Sequence, residues 1–382
     1  MSKRMFFVTE DIETFSLVAD ESGVTAVDVA TARPVDPGEL TRKIGEMVAG
    51  DVLPQRAIKA RELWRSPHRE NPADDGLFDR MLAGGLVTES GVGQFGFGDT
   101  LIRLLSYLDR TFTDIAVRLL GAELRSYPSL IPTDVLCRSG YVSSFPQFLL
   151  GASRLHGDTD HYRDFIDEIQ AASHTEDPGA AAAEALERHG THAGHVLSPA
   201  VCYHVYQQYS GTRMPESGKA VTAVGKCFRH ESRYHRSLER LWEFTMREVV
   251  FMGDQEYVTQ ARKDIMRAVW DTAQRLGLPG RCETASDPFF LSVQAAQKVW
   301  SQRALELKYE LLLPVGGGRS VAAASFNLHG QKLGEAFDLS SSVGDAAFTG
   351  CAAFGLERIA YAFLHHFGMD VRNWPDEVRE CI

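Results

Sequence analysis

Apolar residues recur at helical spacing in several parts of the chain. The clearest case is 99–120, where one face of the predicted helix is lined by Leu101, Leu104, Leu105, Leu108, Phe112 and Ile115. The same periodicity predicts helices at 37–48, 255–276 and 354–367. The first of these follows Asp36, a residue type that caps helix N-termini, and begins with a proline, which is favoured in the first turn.

The second half of the chain is rich in strand-like segments, which lie at 220–230, 241–252, 307–315 and 319–327. Three consecutive glycines at 316–318 separate the last two segments, and they fit a tight hairpin turn better than a phosphate-binding loop. Strands joined by hairpins, interrupted by a long helical excursion, predict an antiparallel sheet with helices on its face. This is an α+β fold.

A glycine-rich segment at 84–98 has two interpretations. Its composition is compatible with a phosphate cradle, but it lacks the Gly-Lys-Ser/Thr ending and the βαβ setting of such loops. A flexible connector is therefore the favoured prediction.

A second helical region is predicted at 160–194, around an alanine-rich run. His189, His192 and His195 lie three residues apart there, as metal ligands can. The intervening glycines disfavour a continuous helix through these histidines. A polar insertion or surface segment is therefore favoured over a metal site.

The overall composition limits the class of protein. The chain has 382 residues, 44% hydrophobic and 24% charged, as is typical of globular proteins. No apolar run approaches the roughly 20 residues that cross a bilayer, so no membrane association is expected. The net charge of −11 argues against a nucleic-acid partner. Six widely spaced cysteines and the absence of a signal-peptide pattern favour reduced thiols in the cytoplasm.

The residues that can carry chemistry begin in a predicted central hairpin. Arg229 and Glu231 share one face of its first strand, and Phe244 and Glu248 share a face of the return strand. The loop between them carries Arg233, His235, Arg236 and Arg240. A guanidinium can donate two parallel hydrogen bonds to the oxygens of a phosphate. An aromatic ring stacks on a base, and a carboxylate accepts a hydrogen bond from an adenine amino group. These residues suit ATP, although an amphipathic hairpin with a solvated loop is an equal alternative on spacing alone.

Arg358 lies early in the apolar helix near the end of the chain, after Gly355. A buried guanidinium has to be paired or face a ligand because removing its charge from water is costly. Helix N-termini prefer acidic residues, so an arginine there points to an anion such as a triphosphate. The alternative is an exposed arginine bound to Glu357 or to solvent.

These two segments resemble motifs of a known enzyme class. FRHE at 228–231 resembles motif 2 of the class II aminoacyl-tRNA synthetases, and FGLER at 354–358 resembles motif 3. Six segments resemble, in order, the amino acid:[carrier protein] ligases: SGYVSSFPQFLLGASRLHG, KCFRHES, LWEFTMREVVFMG, LGLPGR, SFNLHGQKLGEAF and CAAFGLERIA. Those ligases are truncated relatives of the atypical, zinc-dependent seryl-tRNA synthetases of methanogens.

The resemblance implies a class II synthetase-like antiparallel sheet flanked by helices. It divides the chain into an N-terminal extension of unknown role, 1–94, and a catalytic domain, 95–382. Motif 1 is expected at about 99–135, motif 2 at about 224–252 and motif 3 at about 350–367. Because motif 1 forms the dimer interface of this class, a homodimer is also expected.

The resemblance also implies roles in ATP binding. Arg229 would hold the α-phosphate and the amino-acid carboxylate, and Glu231 would bind the adenine amino group. Phe244 would stack on adenine opposite Arg358, which would reach the γ-phosphate. The remaining expected pocket residues are Arg240 and Ser325 for ATP, and Asn327, which with Ser325 lines the amino-acid and Mg²⁺ side.

A zinc site follows from the same resemblance, since the family uses a Cys, Glu, Cys ligand set. The matching residues in order are Cys202, Glu248 and Cys351, which lie too far apart to form the short pairs of structural zinc sites. Three protein ligands leave one position open, which is typical of a catalytic zinc. The resemblance assigns that position to the α-amino group of the substrate.

The expected reaction has two steps. An amino-acid carboxylate attacks the α-phosphate of ATP to give an aminoacyl adenylate, and the aminoacyl group moves to the phosphopantetheine thiol of an acidic carrier protein. The resemblance favours glycine or alanine as the substrate. Residues 1–80 lack a long heptad arm and a basic run, so tRNA is disfavoured as acceptor. A seryl-type aminoacyl-tRNA synthetase and a non-catalytic synthetase paralogue are the alternatives.

A basic face on the helix predicted at 255–276 is a hypothetical docking surface for the carrier. It would comprise Arg262, Lys263, Arg267 and Arg275. An ordinary solvated helix face explains these residues equally well.

Overall fold

A computed structural model describes residues 5, 7–20, 23–53, 60–71, 74–231, 237–287 and 295–382. Its strands are β1 (Ile12–Asp20), β2 (Gly23–Thr31), β3 (Glu62–Arg65), β4 (Val87–Gly91), β5 (Gln94–Phe97), β6 (Glu123–Arg125), β7 (Leu130–Pro132), β8 (Gly151–Leu155), β9 (Gly190–Leu197), β10 (Lys219–Phe228), β11 (Glu243–Gly253), β12 (Arg281–Thr284), β13 (Lys308–Pro314), β14 (Ser320–Gly330) and β15 (Phe348–Gly355). Its α-helices are α1 (Pro37–Met47), α2 (Leu77–Ala83), α3 (Asp99–Leu120), α4 (Thr133–Ser139), α5 (Tyr141–Ser144), α6 (Thr159–Ala172), α7 (Pro178–His189), α8 (Cys202–Gln208), α9 (Gln255–Arg275), α10 (Ala295–Ala304), α11 (Lys332–Ala336), α12 (Leu356–Phe367) and α13 (Asp376–Arg379). Arg233, His235 and Arg236 of the predicted basic loop lie outside the described residues.

The central sheet has eight strands in the order β3-β12-β13-β14-β15-β11-β10-β6. Its pairs are antiparallel except for β6 and β10, which are parallel. The antiparallel sheet predicted from the sequence is therefore confirmed, with the exception of this one parallel pair at its edge. The chain between β6 and β10 makes the long crossover that a parallel pair requires. The four predicted strands correspond to β10, β11, β13 and β14, and the predicted α+β architecture is confirmed.

Helices α3, α9 and α12 cover one face of this sheet and form the main core with it. Phe112 of α3 stacks on Phe354 of β15, with ring centroids 4.2 Å apart. Arg247 of β11 also points to this side, where its guanidinium forms two hydrogen bonds with Asp109 of α3, at 2.7 and 2.8 Å. No helix within the described ranges combines the length and apolar character needed to cross a bilayer.

The long excursion between β7 and β10 differs from the single helical region predicted at 160–194. The predicted region is instead occupied by α6 and α7, followed by β9, which pairs with β7 and β8 in a separate small sheet. His192 and His195 are therefore strand residues. His189 ends α7, and its ring lies 2.7 Å from Glu168, so the three histidines have separate local environments.

The glycine-rich segment 84–98 is a β-hairpin, so the predicted flexible connector is wrong. Strands β4 and β5 pair around a turn at Gly93, whose φ of +67° is easily adopted only by glycine. Its backbone carbonyl accepts a hydrogen bond from Trp242 N, at 3.0 Å. A Cβ at Gly93 would lie 2.9 Å from the Trp242 ring. The hairpin is thereby attached to the start of β11.

The N-terminal part of the chain has two kinds of structure. The β1–β2 hairpin and α1 enclose a small core of their own around Met5, Ile12 and Met47. In contrast, β3 pairs with β12 in the central sheet, and Leu77 and Met81 of α2 belong to the main core. The division of the chain at residue 94 stays a prediction, and β3 and α2 are built into the central unit.

The hypothetical docking face on α9 is only partly exposed. Arg262 is buried: its Nη1 donates to the carbonyl of Glu306 at 2.7 Å, and its guanidinium lies 4.5 Å from the centre of the Tyr309 ring. Arg275 is paired with Glu377. The assignment of Arg262 to a docking surface is therefore wrong, because the rotation of α9 on the sheet turns this residue inwards. Lys263 and Arg267 are exposed.

Replacement of Arg262 by alanine is expected to lower the free energy of unfolding by about 2–3 kcal/mol. The change removes the packing on Tyr309 and leaves the Glu306 carbonyl without its donor. Urea unfolding followed by circular dichroism measures the effect. Lys263→Ala, one position away and exposed, is the matched control and should change stability by less than about 0.5 kcal/mol. Equal effects of the two substitutions would contradict the structural role of Arg262.

Candidate active site

The candidate site lies on the sheet face opposite α3, α9 and α12. Side chains alternate between faces along a strand, and strand pairing aligns the residues of this face. Glu248 of β11 is opposite Ala353 of β15, and Cys351, two residues before Ala353, is opposite Asn327 of β14. Phe244 lies on the same face of β11, four residues before Glu248. Pairing of three strands therefore places distant parts of the chain side by side.

Cys202, Glu248 and Cys351 form a buried group on this face. Their ligand atoms all lie within 4.8 Å of one another, and the residues are 7%, 2% and 5% exposed. Cys202 is the first residue of α8, and the other two lie on adjacent strands. The structure thus brings together the three residues predicted as zinc ligands.

The chemistry of this group fits a divalent metal ion. Burial, reinforced by the neighbouring Cys351, raises the pKa of Glu248 to about 8. The pKa of Cys202 is also raised, by its hydrogen bond to Cys351 and by burial. Three acidic side chains are costly to ionise together in a buried place, and a divalent cation would balance their charge. Thiolates and a carboxylate are zinc ligands, and three of them leave a position open for a substrate.

The backbone around the group holds Glu248 in place. One carboxylate oxygen accepts from Val201 N at 3.2 Å, and the other accepts from Cys202 N at 2.8 Å. On the opposite side, Asn327 Nδ2 lies 3.4 Å from Cys351 Sγ and donates to Ser325 Oγ at 3.1 Å. Asn327 and Ser325, predicted to line the amino-acid side of the pocket, therefore adjoin the metal-ligand group.

Arg229 lies beyond the last residue of β10 and extends the same hairpin. Its backbone N donates to the carbonyl of Trp242, and its Nε donates to the carbonyl of Pro199 at 3.1 Å. The guanidinium lies over the ring of Phe244, with its central carbon 5.3 Å from the ring centre. Arg229 is half-buried, so its charge lies in a partly desolvated place.

Glu231 and Arg240 lie near the two ends of the loop between β10 and β11 and form an ion pair. Arg240 Nη1 donates to a carboxylate oxygen of Glu231 at 2.8 Å, and Trp242 Nε1 donates to the Glu231 carbonyl at 2.9 Å. Glu231 is buried, while Arg240 is exposed. The two predicted ATP residues are therefore paired with each other here.

Arg358 is anchored to backbone carbonyls and is not an exposed arginine bound to Glu357. Its Nε donates to the carbonyl of Glu239 at 2.8 Å, and its Nη1 donates to the carbonyl of Ala322 at 3.1 Å. Burial lowers its pKa. Glu357 instead accepts a hydrogen bond from Thr245 N. The first turn of α12 is thereby tied to the end of the central hairpin.

A partly buried ion pair that the sequence did not predict lies beside this site. Lys308 of β13 is paired with Asp287 and lies 3.1 Å from a carboxylate oxygen of Glu310. Burial raises the pKa of Asp287, but the charge of Lys308 and the hydrogen bonds from Lys308 and Gln302 together outweigh this effect, so the pKa is lowered overall. Arg229 adds to the lowering, which places the pair near the pocket. The available signal was the alternation of charged and apolar residues in KYELLLP.

Comparison with known proteins agrees with this geometry, although no family model matches the chain. The chain is 34% identical over 322 residues to amino acid–[acyl-carrier-protein] ligase 2 of Bradyrhizobium diazoefficiens. The aligned region covers 83% of this chain and 89% of that ligase. It is 27% identical over 303 residues to the type-2 serine–tRNA ligase of Methanococcus aeolicus. That alignment covers 77% of this chain and 56% of that ligase. The seryl-tRNA synthetase of M. kandleri, solved with the tRNASec of A. aeolicus, has a similar fold, with a TM-score of 0.75 at 22% identity over 97% of this chain and 73% of that chain. The predicted class II synthetase-like fold is thereby confirmed.

Proposed function

The chain belongs to the amino acid–[acyl-carrier-protein] ligase family, and from this premise we propose that it activates a small amino acid with ATP and transfers it to the phosphopantetheine thiol of an acidic carrier protein. One observation carries the proposal. The buried group of Cys202, Glu248 and Cys351 lies on the same sheet face as Phe244, which Arg229 overlies. An amino-group site and an ATP site are therefore adjacent.

The first step is attack of the amino-acid carboxylate on the α-phosphate of ATP. A bond forms between a carboxylate oxygen and phosphorus, and pyrophosphate leaves. Arg229 would bind the carboxylate and the α-phosphate, so that both reactants are held together and the charge of the transition state is stabilised. Arg358 would bind the γ-phosphate, and Phe244 would stack on adenine. Glu231 would accept from the adenine amino group, and Arg240 and Ser325 complete the proposed ATP site.

Zinc held by Cys202, Glu248 and Cys351 would bind the neutral α-amino group at its open position, and Mg²⁺ would neutralise the phosphates. Asn327, whose Nδ2 lies 3.4 Å from Cys351 Sγ, would line the amino-acid pocket beside the ligand group. The family resemblance supports glycine or alanine as the substrate.

Two further observations support the choice of acceptor and the oligomeric state. The net charge of −11 is unfavourable for tRNA, and an acidic carrier would need local basic residues, for which Lys263 and Arg267 on α9 are exposed candidates. Apolar side chains of α3 are exposed at Ile102, Val117 and Leu119, which supports a homodimer through motif 1.

The proposal is tested by amino-acid-dependent ATP–pyrophosphate exchange on a panel of amino acids, followed by transfer assays. Exchange is expected with glycine or alanine above the other amino acids. Loading is expected on a phosphopantetheinylated carrier and not on the same carrier without its prosthetic group, because the thiol is the acceptor. Loading of tRNA instead would establish a seryl-type synthetase. Absence of exchange with every amino acid would indicate a non-catalytic paralogue.

A further inference from the structure

His329 lies next to Cys351 of the proposed metal site, at an irregularity in the pairing of β14 with β15. Leu328 and Gly330 of β14 pair with Gly350 and Thr349 of β15, so that His329 is an extra residue between two consecutive partners. Gly330 has a φ of +59°, which accommodates this bulge. Bulges redirect side chains, and this one directs His329 towards Cys351.

The ring of His329 has contacts on both nitrogens. Nε2 lies 3.9 Å from Cys351 Sγ. Nδ1 lies 3.3 Å from the hydroxyl of Tyr206 and 3.2 Å from Oγ1 of Thr349. Both hydroxyl residues are fully buried. The ring therefore connects a predicted metal ligand with two buried hydroxyl groups.

These partners favour one tautomer of a neutral imidazole, which has one donor and one acceptor nitrogen. A hydroxyl donates as readily as it accepts, whereas a metal-bound thiolate only accepts. Nδ1 therefore accepts a hydrogen bond from Tyr206 or Thr349, and the N–H on Nε2 points at Cys351 Sγ. In the opposite tautomer, the lone pair of Nε2 would face the sulfur and repel it.

His329 is not part of the ligand group itself. Among the described residues, the group whose ligand atoms all lie within 4.8 Å of one another comprises Cys202, Glu248 and Cys351. We infer that His329 is a positioning residue of the metal site, which holds the Cys351 thiolate through an Nε2–H···S hydrogen bond in a tautomer set by Tyr206 and Thr349. This inference rests on the proposed metal site.

The hydrogen bond would act on both the direction and the charge of the sulfur. Asn327 Nδ2 also lies close to Cys351 Sγ, at 3.4 Å, so two donors restrict the sulfur lone pair left for the metal. They also stabilise negative charge on a buried thiolate. Tyr206 lies four residues after Cys202, one turn along α8. Helix α8 therefore begins with the predicted ligand Cys202 and also carries Tyr206, which orients His329 beside Cys351.

The inference is tested by the zinc affinity of the purified protein, measured by competition with a chromophoric chelator. His329→Leu is expected to weaken binding by about 10–100-fold, as is typical for the loss of a hydrogen-bonding partner of a metal ligand. His329→Gln should bind zinc nearly as tightly as the unaltered protein, because its amide can donate to sulfur and accept from the hydroxyls. The sulfur-to-metal charge-transfer band of the cobalt-substituted protein should shift in His329→Leu and be restored in His329→Gln.

Further variants separate this role from packing. His365→Leu on α12 replaces another partly buried histidine and should leave zinc affinity unchanged. If His329→Leu does not fold, Tyr206→Phe combined with Thr349→Val removes the hydroxyls and should still weaken zinc binding. Unchanged affinity in His329→Leu, or in the double variant, would overturn the inference while leaving the metal site intact. Failure of the unaltered protein to bind zinc would instead overturn the proposed metal site.

Discussion

Replacing Cys351 with alanine is expected to abolish zinc binding and amino-acid-dependent pyrophosphate exchange together. The substitution leaves only Cys202 and Glu248 of the ligand group. The loss of affinity should exceed the roughly 10–100-fold that follows the loss of a ligand's hydrogen-bonding partner. Without zinc, the α-amino group has no anchor, and exchange should fall at least about a thousandfold, equivalent to about 4 kcal/mol of transition-state stabilisation.

The zinc content of the protein, measured by atomic absorption, and the exchange rate are the two measurements. Cys282→Ala is the matched control, because Cys282 is also a fully buried cysteine of the central sheet but lies on β12, away from the ligand group. Cys282→Ala should keep both zinc and activity after correction for any loss of stability. A metal-free Cys351→Ala protein with full exchange activity would contradict the proposed role of the metal.

Replacing Arg229 with alanine is expected to reduce exchange by about 10²–10³-fold, which is typical for the removal of one preorganised donor to the transition state. The zinc content should not change, because Arg229 contacts Phe244 and the carbonyl of Pro199 rather than the ligand group. Arg229→Lys should remain strongly impaired, since an ammonium lacks the paired donors of a guanidinium. Cys351→Ala is therefore expected to lose both zinc and activity, whereas Arg229→Ala should lose activity and keep zinc.

Arg379→Ala is a suitable control for the loss of an arginine. Arg379 is exposed on α13 and paired locally with Asp376, so its removal should leave both measurements unchanged. Full exchange activity in Arg229→Ala would show that the central hairpin does not hold the α-phosphate. Loss of zinc in that variant would show that the two sites are not separable.

The elements that were predicted well are those defined by local periodicity. The helix predicted at 99–120 is present with the same bounds, as α3. The glycines at 316–318 do form the turn of the hairpin between β13 and β14. In both cases, the alternation or helical spacing of apolar residues within one segment contains the necessary information.

The proposed site has a mixed origin. Alternation along β11 placed Phe244 and Glu248 on one face from the sequence alone. Cys202 and Cys351 were assigned only by resemblance, since nothing local distinguishes them from other buried cysteines. Their proximity to Glu248 depends on the pairing of β11 with β15 and on the position of α8, which are interactions between distant segments.

The amino-acid sequence by itself determined the central-sheet strands β10, β11, β13 and β14, the three helices that cover the sheet, the residues that share a strand face, and the family resemblance. Only the tertiary structure decided that Arg262 is buried, that 190–197 is a strand, and that His329 reaches Cys351. The physical reason is common to all three. The rotation of a helix on a sheet, the pairing of a strand and the position of a bulge are set by partners far away in the chain, whose arrangement no local pattern records.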